Sequence, residues 1–131
     1  MTGLDYGSGP GPAISTILGE LGIKMSDYDP IFANNANPLS ETYDFVTCTE
    51  VVEHFCKPFE EWAKLIGLVK FGGILGVMTT LYDDSITFEN WHYRRDDTHV
   101  SFYSIKTIEW IEKRFNLTRE YCDGSVIILR K

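Results

Sequence analysis

Nothing in the 131-residue sequence approaches the roughly 18 consecutive apolar residues that a helical membrane span requires, and its first residues lack the basic and apolar regions of a secretory signal. A cytoplasmic location is the resulting expectation. Cysteine is scarce: Cys48, Cys56 and Cys122 are odd in number, widely spaced and part of no CxxC or Cys/His pattern. That argues against a disulfide framework and reads as free thiols in a reducing compartment. Basic residues are in the minority, 12 against 19 acidic ones, and a formal charge of −7 argues against the positive footprint that holds a phosphate backbone, leaving Arg94-Arg95 as a local basic strip. Nucleic acid is therefore not expected as a substrate. Repeats, low-complexity tracts and interdomain linkers are also missing.

What is present suffices for one core. With 44% apolar and 14% aromatic residues, the chain can bury a core without metal or disulfide staples, so a single domain is expected over residues 1–131. Met1 stands only a few residues before what reads as an interior strand, and an N-terminal portion is expected to be missing. Gly3 to Tyr6 form that short strand. Ile14, Ile17, Leu18 and Leu21 then recur at helical spacing, with Pro12 in the first turn and Gly22 at the end. A second strand follows over Ile23 to Tyr28, and Asn34 to Thr42 reads as loop.

Tyr43 to Cys48 is a β-branched and aromatic strand. Pro58 starts a helix whose buried face is expected to be Phe59, Trp62, Leu65, Ile66 and Val69, ended by Gly72-Gly73. The apolar run Ile74 to Thr80 suits a parallel strand covered on both faces. A long connection, Leu81 to Tyr103, precedes a helix capped by Ser104, with Ile105, Ile108, Ile111 and Phe115 on one side. Leu117 to Tyr121 and Ser125 to Leu129 pair across Asp123-Gly124, a strong hairpin signal. This order predicts an α/β fold: a Rossmann-like open, mostly parallel sheet with helices on both faces, an antiparallel hairpin strand near the C-terminus, and a reduced region around the third strand.

The most specific local feature is Leu4-Asp5-Tyr6-Gly7-Ser8-Gly9-Pro10-Gly11 between the first strand and the first helix. Glycines there permit a tight turn and let a ligand approach the backbone. The spacing Gly7-x-Gly9-x-Gly11 departs from the G-x-G-x-x-G dinucleotide fingerprint, which disfavours a nicotinamide oxidoreductase, and no Lys-Ser or Lys-Thr follows as in a P-loop. About 20 residues beyond such a turn, a carboxylate at the tip of the second strand grips a ribose diol. Asp29 is assigned that place, with Asp27 as the fallback; the bland alternative is that Asp29-Pro30 merely opens a turn.

With these residues the chain resembles the class I S-adenosylmethionine-dependent methyltransferases, whose first motif is an acidic residue followed by G-x-G-x-G. The segment from Tyr43 to Phe55 is similar to the family's fourth-strand region, and Leu68 to Leu75 to its turn into strand five. Trp91 to Ser104 is similar to a stretch in a bacterial branch with loosely assigned small-molecule substrates. The resemblance implies that Asp5, Tyr6 and the backbone of Gly7, Ser8, Gly9 and Gly11 hold the methionine part of the cofactor. It implies that Tyr28 and Asp29 hold the ribose, and that Thr49 and Glu50 line the methyl-donor site. Ile31 and Leu39 are candidates to cover the adenine. About a dozen residues separate Asp29 from Tyr43, too few for the helix and strand usual there.

Methyl transfer from a sulfonium is an in-line displacement, so the protein must chiefly position two reactants and manage one proton. An oxygen nucleophile suits a histidine base, and the candidates are His54, His92 and His99. His99 is assigned the catalytic role because sites in such sheets open at the carboxyl ends of strands; its alternative is a loop anchor. His54 is expected to pack near the cofactor pocket. His92, Asp96, Asp97 and His99 match no metal-site spacing, so no metal is expected. Trp91, Tyr93, Phe102 and Tyr103 form either an aromatic substrate wall or simple packing under the loop. The expected function is methyl transfer from S-adenosylmethionine to a small or medium-sized acceptor, with a non-catalytic cofactor-binding or regulatory domain as the alternative. No membrane partner is expected, and the oligomeric state is not legible.

Overall fold

A computed structural model describes residues 1–131. Six strands form one sheet: β1 (Thr2–Tyr6), β2 (Lys24–Tyr28), β3 (Tyr43–Thr49), β4 (Val69–Met78), β5 (Thr118–Cys122) and β6 (Val126–Arg130), in the order β2-β1-β3-β4-β6-β5. The first four strands are parallel, and β6 runs antiparallel to both β4 and β5. Three helices complete the fold: α1 (Ala13–Glu20), α2 (Pro58–Gly67) and α3 (Ile105–Phe115). The α/β class, the mostly parallel sheet and the C-terminal hairpin agree with the expectation. The short link between β2 and β3 holds only a 3-10 turn at Asn37–Ser40, so β2 is the sheet's edge.

Side chains alternate across a strand, and the two sheet faces are covered unequally. Leu4, Val46, Cys48, Leu75, Val77, Ile127 and Leu129 are buried beneath α2 and α3 together with Trp62, Leu65, Ile108 and Ile111. Tyr6 and Tyr28 share this side, stacked with ring centroids 5.2 Å apart beneath Lys64 of α2. The opposite side, reached by Asp5, Asp27 and Thr47, carries α1, whose Ser15 hydroxyl donates to Asp27.

Three local expectations change. Helix α1 buries no residue, and Ile17 and Leu21 of its apolar stripe are exposed. Helix α2 ends at Gly67, and Gly72-Gly73 lie inside β4. The chain enters that strand at Val69 with a register shift opposite Tyr43/Phe45, and Gly72 takes a φ of +77° that suits glycine. Phe59 is 48% exposed, since it leans on Trp110 and Phe115 across a surface groove between α2 and α3 instead of entering the core. Helix α3 starts as expected, with Ser104 and Thr107 forming a reciprocal capping box.

Candidate active site

Parallel alignment brings the carboxyl ends of β1, β2, β3 and β4 to one edge, and nearly all the assigned residues gather there. The chain order reverses beside β1, whose neighbours are β2 and β3, which makes this edge the crevice where open α/β sheets take ligands. The glycine loop leaves β1 and is tied to the tip of β2: the N–H groups of Gly7 and Ser8 donate to the Tyr28 carbonyl at 2.7 and 3.2 Å. Gly7 has φ +84°, and a Cβ there would stand 2.3 Å from Val51 Cγ2, so only glycine fits. Gly9 has φ +66°, and Cβ atoms at Gly9 or Gly11 would meet nothing within 4 Å. The loop's backbone is therefore open on its outer side to a bound molecule.

Asp29 is built into this loop. Its Oδ2 accepts from Gly9 N–H at 3.0 Å, and Oδ1 accepts from Ile31 and Phe32 N–H at 2.8 and 3.0 Å. Burial works to raise its pKa, but those three amides outweigh it and the carboxyl lies below its ordinary value. Oδ2 keeps one unused acceptor position, enough for a ribose hydroxyl. Asp27 bonds Ser15 of α1 and lies apart from the loop amides. Asp5 is buried and accepts from the Thr47 hydroxyl at 2.8 Å; burial raises its pKa more than that bond lowers it. Ile31 is exposed, and Leu39 packs at the margin of the core.

Thr49 ends β3, and Glu50 turns out of the sheet. Glu50 has φ +54°, a left-handed backbone rare outside glycine, held by its N–H donating to the Met78 carbonyl at 2.8 Å. This turn delivers the Glu50 side chain to Tyr93, whose hydroxyl lies 2.9 Å from Glu50 Oε2, 2.6 Å from Glu53 Oε1 and 3.1 Å from Thr79 Oγ1. Burial, and then the neighbouring Glu53 carboxylate, raise the Glu50 pKa.

The long connection after β4 is strapped onto this turn. Val100 and Ser101 N–H both donate to the Glu53 carbonyl, the Ser101 hydroxyl to Phe55 O, and the Tyr103 hydroxyl to Val52 O. His54 and His99 come together with ring centroids 5.0 Å apart, whereas His92 is exposed and away from them. His99 Nδ1 contacts the Tyr93 carbonyl at 2.7 Å, and its Nε2 lies 3.5 Å from Asp96 Oδ2. His54 does not pack inward as expected; its exposed ring contacts the Thr98 carbonyl at 2.9 Å through Nδ1. Trp91, Tyr93 and Tyr103 are buried, Trp91 among Tyr82, Phe88 and Phe102, so these aromatics pack beneath the connection. Sequence reading named Tyr93 only as a wall or packing aromatic, without its hydroxyl's role, and missed Glu53 as a site residue. The signal was the Glu50-x-x-Glu53-His54 spacing, which a single turn after the strand folds onto one spot.

The family model for the methyltransferase domain matches residues 1–120. Among solved structures, an O-methyltransferase family protein from Burkholderia thailandensis is 16% identical with a TM-score of 0.67, covering 98% of this chain and 49% of that one. The mitomycin 7-O-methyltransferase MmcR is 12% identical with a TM-score of 0.74, covering 99% and 48% respectively. The 1,6-didemethyltoxoflavin-N1-methyltransferase of Burkholderia thailandensis, solved with its substrate and S-adenosylhomocysteine, is 14% identical with a TM-score of 0.73, covering 99% of this chain and 70% of that one. At these identities the likeness is one of fold, and the chain spans about half the length of the first two. No curated protein matches the sequence. With the family model covering all but the last strand and its approach, the chain belongs to the class I, S-adenosylmethionine-dependent methyltransferase domain family.

Proposed function

We propose that this chain transfers a methyl group from S-adenosylmethionine to a small or medium-sized acceptor. The observation that carries this reading is the junction of the open glycine loop with Asp29 at the β1/β3 switch point, next to the polar turn at Glu50. The residues fit the cofactor: outward-facing loop backbone at Gly9 and Gly11, a spare acceptor position on Asp29 for a ribose hydroxyl, and the buried carboxylate of Asp5 beneath the loop. When bound, S-adenosylmethionine supplies an electrophilic methyl carbon on a sulfonium sulfur. Asp5, Tyr6, Gly7, Ser8, Gly9 and Gly11 would surround its methionine end, Tyr28 and Asp29 its ribose, and Thr49 and Glu50 the methyl side.

The chain's task at the acceptor is orientation and control of one proton. The Tyr93 carbonyl can only accept, so Nδ1 of neutral His99 carries the hydrogen and Nε2 keeps the lone pair. An acceptor hydroxyl that loses its proton to Nε2 is left with the electron pair that forms the new O–CH3 bond as the S–CH3 bond breaks. The resulting imidazolium is stabilised by Asp96, 3.5 Å away. No helix is long and apolar enough to cross a membrane; a cytoplasmic setting and a small-molecule acceptor, not nucleic acid, complete the reading. The acidic balance of the chain supports the latter.

Calorimetric titration with S-adenosylmethionine and S-adenosylhomocysteine, followed by a methyl-transfer screen over phenols, enols and heterocyclic amines, tests it. Saturable binding of both with turnover of at least one acceptor is the expected result. Binding without transfer would instead mark a cofactor-sensing domain, and NAD binding in place of either ligand would mark an oxidoreductase.

A further inference from the structure

One carboxylate oxygen at the site has nothing to bind. Glu53 is 0% exposed; its Oε1 accepts from the Tyr93 hydroxyl, and its Oε2 is buried without any hydrogen-bond partner. Glu50 draws on the same hydroxyl, which has a single proton to give. Two carboxylates thus share one donor. None of the chain's ion pairs brings a lysine or arginine to either of them. Leaving a buried carboxylate oxygen uncompensated is costly, and buried charges in proteins are paired or coordinate metals.

Both nearby histidines are prepared in the same manner. Nδ1 of His54 and Nδ1 of His99 meet backbone carbonyls at 2.9 and 2.7 Å, so each neutral ring donates through Nδ1 and keeps an unshared pair on Nε2. Anchoring of the distal ring nitrogen on a carbonyl is how proteins fix the tautomer and orientation of a metal-ligating histidine. One ligand atom from each of Glu53, His54 and His99 falls within 4.8 Å of the others. Bonds of about 2.1 Å around a tetrahedral ion bring ligands to roughly 3.4 Å from one another, a closure of an ångström or so that a tilt of the exposed His54 ring about its Thr98 hydrogen bond can supply.

We infer that Glu53, His54 and His99 bind a divalent first-row transition-metal ion such as zinc, through Glu53 Oε2 and the two Nε2 atoms. Two imidazoles and one carboxylate suit zinc, manganese, iron or cobalt; calcium and magnesium call for oxygen ligands. Asp96, with Oδ2 already 3.5 Å from His99 Nε2, can serve as a further ligand, and Glu50 adds negative charge at the inner edge. Binding itself is independent of the proposed reaction. What the ion does there rests on that reading: with the ion bound, His99 Nε2 is a ligand and an acceptor hydroxyl at an open coordination position gives its proton to water, while the base role of His99 belongs to the metal-free protein.

Protein stripped with a chelator is titrated with cobalt(II), read by its visible ligand-field bands, and with zinc(II), read by calorimetry. S-adenosylhomocysteine is titrated separately. One equivalent of metal is expected, with affinity falling at least tenfold in His54→Ala and in Glu53→Gln, and affinity for S-adenosylhomocysteine kept in His54→Ala. His54→Ala removes a surface-exposed ring and its one bond to the Thr98 carbonyl, so a melting curve matched to the parent's accompanies it. No stoichiometric uptake by the unaltered protein, or uptake that both substitutions leave unchanged, overturns the site. Metal uptake without S-adenosylhomocysteine binding would keep the metal site and sink the methyl-transfer reading; the converse would do the reverse.

Discussion

Oδ2 of Asp29 accepts the Gly9 amide proton at 3.0 Å, so the carboxylate assigned to the ribose is also what holds the glycine loop in place. Asp29→Ala removes three backbone partners at once and should weaken S-adenosylmethionine binding by at least about 1 kcal/mol, the scale of a lost charge-assisted hydrogen bond. Asp27→Ala, whose bond goes to Ser15, should cost much less. Calorimetry on both variants decides the assignment, and equal affinities in the two would reverse it.

Gly7→Ala should destabilise the fold by at least about 1 kcal/mol, because an L-residue at φ +84° is strained and its Cβ collides with Val51. Pairing it with Val51→Ala relieves the collision and leaves the backbone strain. Urea denaturation should therefore show partial recovery in the double variant; full recovery would mean that the φ angle carries no penalty.

Glu50→Gln tests the crowded carboxylates through pH. Burial and Glu53 raise the Glu50 pKa in the folded chain, so the folded state holds that proton more tightly than the unfolded one. The resulting penalty is absent below the unfolded carboxylate value, grows as pH rises through the folded one, and stays constant above. Stability of Glu50→Gln relative to the parent should accordingly increase with pH over that window and then level off. A difference that does not vary with pH would show the two carboxylates to be uncoupled from folding.

His99→Ala should lower turnover and leave S-adenosylhomocysteine affinity unchanged, since the ring contacts Tyr93 and Asp96, not the glycine loop. Steady-state kinetics alongside binding separates the two effects. Undiminished turnover would reduce His99 to an anchor of the connection.

Ser104→Ala removes the cap of α3 and should cost about 1 kcal/mol of stability with no effect on cofactor affinity. Thermal denaturation with a parallel titration checks both halves.

Much of the fold could be read directly because its signals are local. The glycine spacing, the Ser104 cap, the Asp123-Gly124 turn and the β-branched and aromatic run of β3 each act within a few residues, and each reappears in the structure. The end of α2 falls earlier than Gly72-Gly73 suggest: the helix stops at Gly67 with Leu68 as its C-cap, because Val69 already enters the sheet beside Tyr43. Burial of α1 and Phe59 was overstated because periodicity gives a stripe but not what covers it. The meeting of Glu53 and His54 with Tyr93 and His99 depends on hydrogen bonds between residues 40 and 44 positions apart, and no spacing rule reaches that far.

β2 has a neighbour on one side only, so its outer backbone groups face away from the sheet. A bare margin of this kind invites another chain to add a strand. Here the margin is five residues long, opens on a lysine, and closes where Asp29 bridges back to Ala33 around Pro30. That hook caps the one end at which an incoming strand would reach the carboxyl ends of the parallel strands, so that edge stays open even if the flank is occupied.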